Sequence, residues 1–209
     1  VRAPGGGGTG AAAQHSQSIE AWFMHIPGLK VVIPSNPADA KGLLKSAIRD
    51  DNPVIYFEHK ALFNTRGPVP DGEVLTPIGK AKVVREGSDV TLVSYSRCMG
   101  LSLEAADVLA GEGISVECID LRSISPIDKE TLLASVAKTT RLVVAHEAVK
   151  QGGVGAELSA IVAEEGIDLL DAPIVRVGAP FTPVPFARPL EQAYRVTSER
   201  ITEAVRGLF

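Results

Sequence analysis

Cysteine is scarce in this chain: Cys98 and Cys118 are the only two in 209 residues, and they form no C-x-x-C pair. That excludes a disulfide framework or a thiolate zinc site as the organising feature and suits buried thiols in a reducing compartment. Aromatic residues make up 5%, with one tryptophan. No apolar run approaches the ~18 residues needed to cross a bilayer, so no membrane partner is expected. Positive charge is in deficit, 21 Lys and Arg against 25 Asp and Glu, for a formal charge of −4 with both signs interspersed. A nucleic-acid partner would favour a basic face, which this balance does not supply. An acidic or phosphorylated small molecule remains compatible, because a local site can be positive on an acidic protein. No signal peptide is visible, and a first residue of Val1 leaves a preceding targeting segment open.

What is present is an ordinary globular composition, 45% hydrophobic and 22% charged, with room for one large or two small domains. Residues 1–10 read as a strand stub followed by a glycine run. Ile19, Ala21, Trp22, Phe23 and Met24 suggest a short buried helix over 18–25, stopped by Pro27-Gly28. Residues 29–33 form a β-prone segment ending at Pro34. Ser35 or Asn36 then caps a helix with Pro37 in its first turn. That helix carries Ala40, Leu43, Leu44, Ala47 and Ile48 as an apolar stripe, and 53–57 is the next strand. The order strand, helix, strand predicts a βαβ unit and a parallel sheet.

Between 58 and 77 the pattern dissolves into Gly67, Pro68, Pro70, Asp71-Gly72 and Pro77. The organisation expected is therefore a first domain over 1–66, a linker over 67–78 and a second domain over 79–209. In the second domain the strands are placed at 81–84, 90–95, 115–119, 141–145 and 174–177. The helices are placed at 101–110, 129–137, 155–165 and 198–206, the last capped by Ser198. Runs such as Val90 to Val93 and Leu142 to Val144 are apolar on both faces, as strands covered by helices on both sides would be. The second domain is expected to close its own core. The first, with two or three strands, is expected to be incomplete, part of it lying upstream.

Gly5, Gly7 and Gly10 formally satisfy G-x-G-x-x-G, but any glycine run does, and the acidic residue about 20 positions on is missing. A nicotinamide-binding oxidoreductase therefore rests on little. The glycines more simply let the backbone turn sharply and pass close to a ligand or another chain. His15 follows five residues later in Gln14-His15-Ser16-Gln17, just before a helix. Loops at the carboxyl ends of parallel strands are where α/β sheets place their sites, and histidine can pass protons near neutral pH. His25 reads as structural. His59, beside Glu58 and Lys60, and His146-Glu147, before Gly152-Gly153, sit at strand ends and leave both polar-edge and second-site readings open. No histidine pair has metal-ligand spacing. Residues 47–52 close the first amphipathic helix, where unpaired carbonyls beside Asp50 and Asn52 could hold a hard cation or form an ordinary polar terminus. Pro183-Val184-Pro185-Phe186-Ala187 is a stiff segment suited to a partner contact.

Several ordered blocks carry a resemblance: Ala12-Ala13-Gln14-His15-Ser16-Gln17, His25-Ile26-Pro27-Gly28-Leu29-Lys30-Val31-Val32, Asp39-Ala40-Lys41-Gly42-Leu43, Ile48-Arg49-Asp50 and Asn52-Pro53-Val54. They continue with Pro77-Ile78-Gly79-Lys80-Ala81, Ile119-Asp120-Leu121-Arg122, Ser125-Pro126 and Thr182-Pro183-Val184-Pro185. In this order they resemble the beta subunit of the thiamin-diphosphate-dependent decarboxylating component of 2-oxo acid dehydrogenase complexes, along essentially the whole chain. The resemblance implies a transketolase-like α/β fold: an incomplete pyrimidine-binding domain, then a complete C-terminal domain with a mainly parallel sheet covered by helices.

It also implies oxidative decarboxylation of a 2-oxo acid, pyruvate first, with branched-chain 2-oxo acids or acetoin as alternatives, and acyl transfer to a lipoyl group. The implied partners are an alpha subunit in an α2β2 heterotetramer, a second beta subunit and the dihydrolipoyl acyltransferase core. The implied compartment is the bacterial cytoplasm, or in a eukaryote the mitochondrial matrix or plastid. Carried over by position, His15 matches the family's active-site histidine, Trp22 an aromatic at a subunit interface, and Ala47, Ile48, Asp50 and Asn52 a potassium site built largely of main-chain oxygens. Thiamin diphosphate and Mg2+ are held in the family by the alpha subunit and by a glutamate upstream of Val1. No cofactor-binding residue is therefore expected in these 209 residues, and alone they are expected to be inactive, a dimerisation or docking piece.

Overall fold

The computed structural model describes residues Val1–Phe209. The chain runs β1 (Arg2–Gly5), α1 (Ala12–His15), α2 (Glu20–Met24), β2 (Lys30–Val32), α3 (Pro37–Arg49) and β3 (Val54–His59). It continues β4 (Lys82–Arg85), β5 (Val90–Ser94), α4 (Arg97–Gly111), β6 (Val116–Asp120), β7 (Ser123–Ser125), α5 (Lys129–Thr139) and β8 (Leu142–Val149). It ends α6 (Val154–Glu165), β9 (Val175–Ala179), α7 (Arg188–Tyr194) and α8 (Ser198–Arg206).

Two sheets result. The first has the order β1-β3-β2-β7, with β1, β3 and β2 mutually parallel and β7 antiparallel to β2. The second has the order β4-β6-β5-β8-β9 and is parallel except at β4. Its strands are apolar on both faces because each face is covered. Leu132, Val136, Leu158 and Val162 of α5 and α6 pack on one face, and Met99, Leu109, Ile201 and Val205 of α4 and α8 on the other. The second sheet is the expected mainly parallel one covered by helices on both faces.

The core does not stop at the second sheet. Val31, Ile33, Ile55 and Phe57 of the first sheet region lie in one continuous apolar cluster with Val93, Ile119 and Val144 of the second. The sheets are thus joined by a shared interior and by β7, a strand that follows the proline-rich stretch in sequence but pairs with the sheet before it.

Several local expectations change. Helix α2 is not buried: only Glu20 within it is, and Trp22 stands 73% exposed. Phe23 is its anchor, packed edge-on against Phe57 at 5.6 Å. Helix α3 is capped by Asn36, which accepts from the Asp39 amide at 2.9 Å, and buries Leu43. Ile48 falls off its apolar stripe and is 75% exposed, because at 3.6 residues per turn it sits ~140° round from Leu43. Helix α8 is capped by Thr197 rather than Ser198. Strand β8 runs four residues past the expected end, so His146 and Glu147 lie within it, at a break in its register with β9.

Candidate active site

His15 is placed by a backbone path that only small residues permit. Strand β1 ends beside β3, Gly5 opposite His59, and residues 6–11 carry the chain to α1. Gly6 has φ +83, and a Cβ there would meet the His59 ring at 2.3 Å. Gly8 has φ +97, and a Cβ would lie 2.7 Å from the Arg195 guanidinium carbon. Helix α1 then presents His15 exposed to solvent. Its carbonyl accepts from the Lys60 ammonium at the end of β3. Gln14, His15, Gln17, Phe57 and Lys60 line a cleft of about 320 Å3 at the carboxyl edge of the first sheet. An exposed imidazole at such an edge can exchange protons with a substrate or with water.

The glycine loop has almost no side chains to anchor it, and three of its amides are held by carboxylates from far along the chain. Gly7 N donates to Glu147 Oε1 at 2.6 Å, Gly8 N to Glu191 Oε1 at 2.7 Å and Gly10 N to Glu191 Oε2 at 3.1 Å. The N–H groups that a phosphate would need are therefore engaged within the protein, which weighs against the dinucleotide reading. Glu147 Oε1 also meets His59 Nε2 at 2.9 Å, and Glu147 Oε2 accepts from Arg97 at 3.2 Å. His59 Nδ1 accepts from the Ala61 amide at 3.2 Å, which assigns the proton to Nε2. Burial opposes the Glu147 charge, but the bonds from His59 and Gly7 and the charge of Arg97 outweigh it and hold the carboxyl below its ordinary value.

Behind this cluster lie two further buried groups. Glu20 is 3% exposed and accepts from the Tyr95 hydroxyl at 2.8 Å; burial pushes its carboxyl up. His146 is fully buried, stacked on Tyr95 with 6.1 Å between ring centroids, and bonded through Nδ1 to the Ala148 carbonyl at 3.0 Å. Burial lowers its pKa to about 4, with the Arg176 charge adding to the effect. His146 is thus a neutral core residue rather than a polar strand end, and His59 is 6% exposed and committed to Glu147. Neither is brought together with His15 by any side-chain bond. Glu20, Tyr95, Arg97 and Glu191 carried no signal in the sequence, because their partners lie tens of residues away.

At the end of α3 the carboxylate of Asp50 is already occupied. It pairs with Lys30 Nζ at 2.6 Å and accepts from the Asn52 amide at 2.9 Å and from Asn52 Nδ2 at 3.1 Å. The Lys30 hydrogen bond, followed by the two from Asn52, lowers its pKa to about 2. Trp22 and His25 stand exposed on the wall of a broad groove of about 960 Å3 that also includes Pro126, Gln151 and Glu157. Phe186 projects from the proline-rich segment, 73% exposed, while Val184 is buried. No three His, Cys, Asp or Glu side chains converge as a metal site. No helix is long and apolar enough to cross a membrane.

Two joined, mainly parallel sheets with a histidine loop at the carboxyl edge of the first define an α/β protein with a candidate site at a strand-end crevice. Residues 1–65 match the transketolase pyrimidine-binding domain and residues 79–201 the transketolase C-terminal domain, and the chain belongs to that transketolase family. It is 50% identical, over 98% of its length, to the mitochondrial pyruvate dehydrogenase E1 component subunit beta of Dictyostelium discoideum, covering 59% of that protein. Over its full length it is 48% identical to the beta subunit of acetoin:2,6-dichlorophenolindophenol oxidoreductase of Bacillus subtilis, covering 61% of it. It is likewise 44% identical to the 2-oxoisovalerate dehydrogenase subunit beta of the same organism, covering 64%. A solved structure titled "Split gene transketolase, inactive beta4 tetramer" superposes with a TM-score of 0.83 at 28% identity, over 99% of this chain and 65% of that one. The chain spans between 55% and 64% of the length of these and other curated relatives.

Proposed function

We propose that this chain is part of the beta subunit of a thiamin-diphosphate-dependent 2-oxo acid dehydrogenase that acts on pyruvate, with His15 as its catalytic side chain. The observation that carries this reading is the similarity along 98% of the chain to a pyruvate dehydrogenase beta subunit. The exposed position of His15 on a fixed loop at a sheet edge supports it.

Thiamin diphosphate, when bound with Mg2+, supplies the carbanion chemistry. In this reading both are held mainly by the alpha subunit, and the family's cofactor-contacting glutamate lies outside these 209 residues. This chain's contribution is His15, whose imidazole would pass a proton to the sulfur released when the lipoyl S–S bond breaks and the other sulfur takes the acyl carbon. In this reading a potassium ion binds at the end of α3, held largely by main-chain oxygens of Ala47, Ile48, Asp50 and Asn52. Lys30 at 2.6 Å from Asp50 leaves the carbonyls as the main ligands. The divisions 1–66, 67–78 and 79–209 serve as pyrimidine-binding portion, linker and C-terminal domain. The partners are the alpha subunit, a second beta chain and the dihydrolipoyl acyltransferase, with Trp22 at a subunit interface. The compartment is the bacterial cytoplasm or, in a eukaryote, the mitochondrial matrix or plastid.

The test is the complete beta chain assembled with its alpha subunit and assayed with pyruvate, branched-chain 2-oxo acids and acetoin. The expected result is a preference for pyruvate and a loss of ~100-fold or more in lipoyl acylation for His15→Ala. Unchanged acylation by that variant would refute the catalytic reading, and a preference for acetoin or a branched-chain acid would move the substrate to the class of those relatives. A second reading, a non-catalytic assembly module, draws on the relative whose title describes an inactive beta4 tetramer. It predicts a chain that self-associates and gains no activity from an alpha subunit.

A further inference from the structure

We infer that Glu191, with Glu147, is a positioning residue: the two carboxylates occupy the glycine loop's amides and so fix the segment that carries His15. Three amides within four residues, those of Gly7, Gly8 and Gly10, point to one side of the loop and end on these two side chains. Both acceptors are buried, Glu147 8% and Glu191 4% exposed. The Gly7 bond is buried and those of Gly8 and Gly10 are part-buried, and charge-assisted bonds of this kind are costly to lose where water is partly excluded, so the loop stays where the carboxylates are.

The loop's own side chains contribute little to holding it. It is nearly free of side chains, and at Gly6 and Gly8 it passes so close to His59 and Arg195 that a Cβ would collide. Only one turn of helix, α1, separates Gly10 from His15, so a displacement of the loop is carried straight to the imidazole. On the other side, Glu191 sits on α7, a short helix packed through Tyr194 into a small cluster with Ala179 and Val184. Glu147 is anchored by Arg97 and by His59. The clamp therefore ties the position of His15 to elements more than 130 residues further along the chain, as the Gly7–Glu147 separation of 140 shows.

The kinetic half of this inference rests on the catalytic reading of His15; the positional half does not. The test uses the complete beta chain assembled with its alpha subunit, in wild-type, Glu191→Leu, Glu191→Gln and Gly8→Ala forms. Amide hydrogen exchange is followed over residues 6–17, and steady-state kinetics of lipoyl acylation are measured alongside. Glu191→Leu is expected to speed exchange in that segment at least 10-fold. It should lower kcat at least 10-fold while KM for the 2-oxo acid stays within twofold. Glu191→Gln, whose amide oxygen can still accept from Gly8 and Gly10, should restore most of both.

Should Glu191→Leu fail to assemble, Gly8→Ala loosens the same contact from the loop side and is expected to give the same pair of changes. Wild-type exchange over 6–17 in an assembled Glu191→Leu or Gly8→Ala protein overturns the inference. So does fast exchange with wild-type kcat in a protein that His15→Ala inactivates. If His15→Ala keeps full activity, the catalytic reading falls instead, and the exchange rates alone decide the clamp.

Discussion

Replacing His146 by leucine should change how stability depends on pH. The imidazole is fully buried beside Tyr95, with Nδ1 on the Ala148 carbonyl and Nε2 without a partner. Its pKa is about 4 in the fold against a reference of 6.5. Between these two values the unfolded chain binds a proton that the native chain does not, so stability falls as pH drops through this window. Integrating the linkage from pH 8 to pH 5 for those two pKa values gives a loss of ~2 kcal/mol from this residue.

Asp120 works in the opposite sense. Burial raises its carboxyl to about 6 from 3.8, with Asp39 adding to the rise. The native chain therefore takes up a proton first and gains ~1 kcal/mol over the same interval. The wild-type profile alone would hide both effects, and the difference between wild type and His146→Leu isolates one. At pH 8 the variant should be less stable by ~1 kcal/mol for the lost Nδ1 bond. At pH 5 it should equal or exceed the wild type. Urea unfolding of the complete chain at the two pH values measures this. A stability difference that is the same at pH 5 and pH 8 would refute the placement of a neutral histidine in the core.

Other consequences are open to direct measurement. Gly6→Ala forces a Cβ to within 2.3 Å of the His59 ring at φ +83 and should cost about 2–4 kcal/mol, read as a lowered urea midpoint. Lys138→Met strips the partner from Glu117, which is 2% exposed. Because the lysine is itself 44% exposed, the expected cost is ~2 kcal/mol, below that of a fully buried pair. Trp22 is the single tryptophan and 73% exposed, so its emission should shift to the blue and lose iodide quenching when the subunits assemble; unchanged emission would remove it from the interface. Exchanging K+ for Na+ should lower Tm by ~2–4 °C if the α3 site is worth ~1 kcal/mol, and a Tm that is the same in the two salts would remove the site.

The sheets were legible because their strands announce themselves. Leu142–Val149 opens with an unbroken apolar run, and Val90–Val93 is broken only by Thr91, as suits doubly covered parallel strands. Helix α3 was legible from its cap and stripe, although the stripe was read one residue too far, to the exposed Ile48. Strand β7 was invisible: Ser123–Ser125 offers one apolar residue, Ile124, and no alternation to read. Helix α7 was missed because it follows a proline-rich segment and exposes Leu190. The site divides in the same way. His15 and the glycine run stood out through local chemistry. Glu147 was noticed only as a strand end, and Glu191 not at all, because hydrogen bonds across 140 and 183 residues leave no local pattern.

Strand β7 and the common core give the molecule a property beyond its site. The proline-rich stretch around Gly67 to Pro77 is mostly exposed, yet the pieces on either side share a sheet and an interior. A protease cut there would sever the chain without separating its parts. The two fragments should co-elute after nicking and, expressed separately, should complement one another in the manner of a split protein. Each alone would leave apolar surface with nothing to cover it.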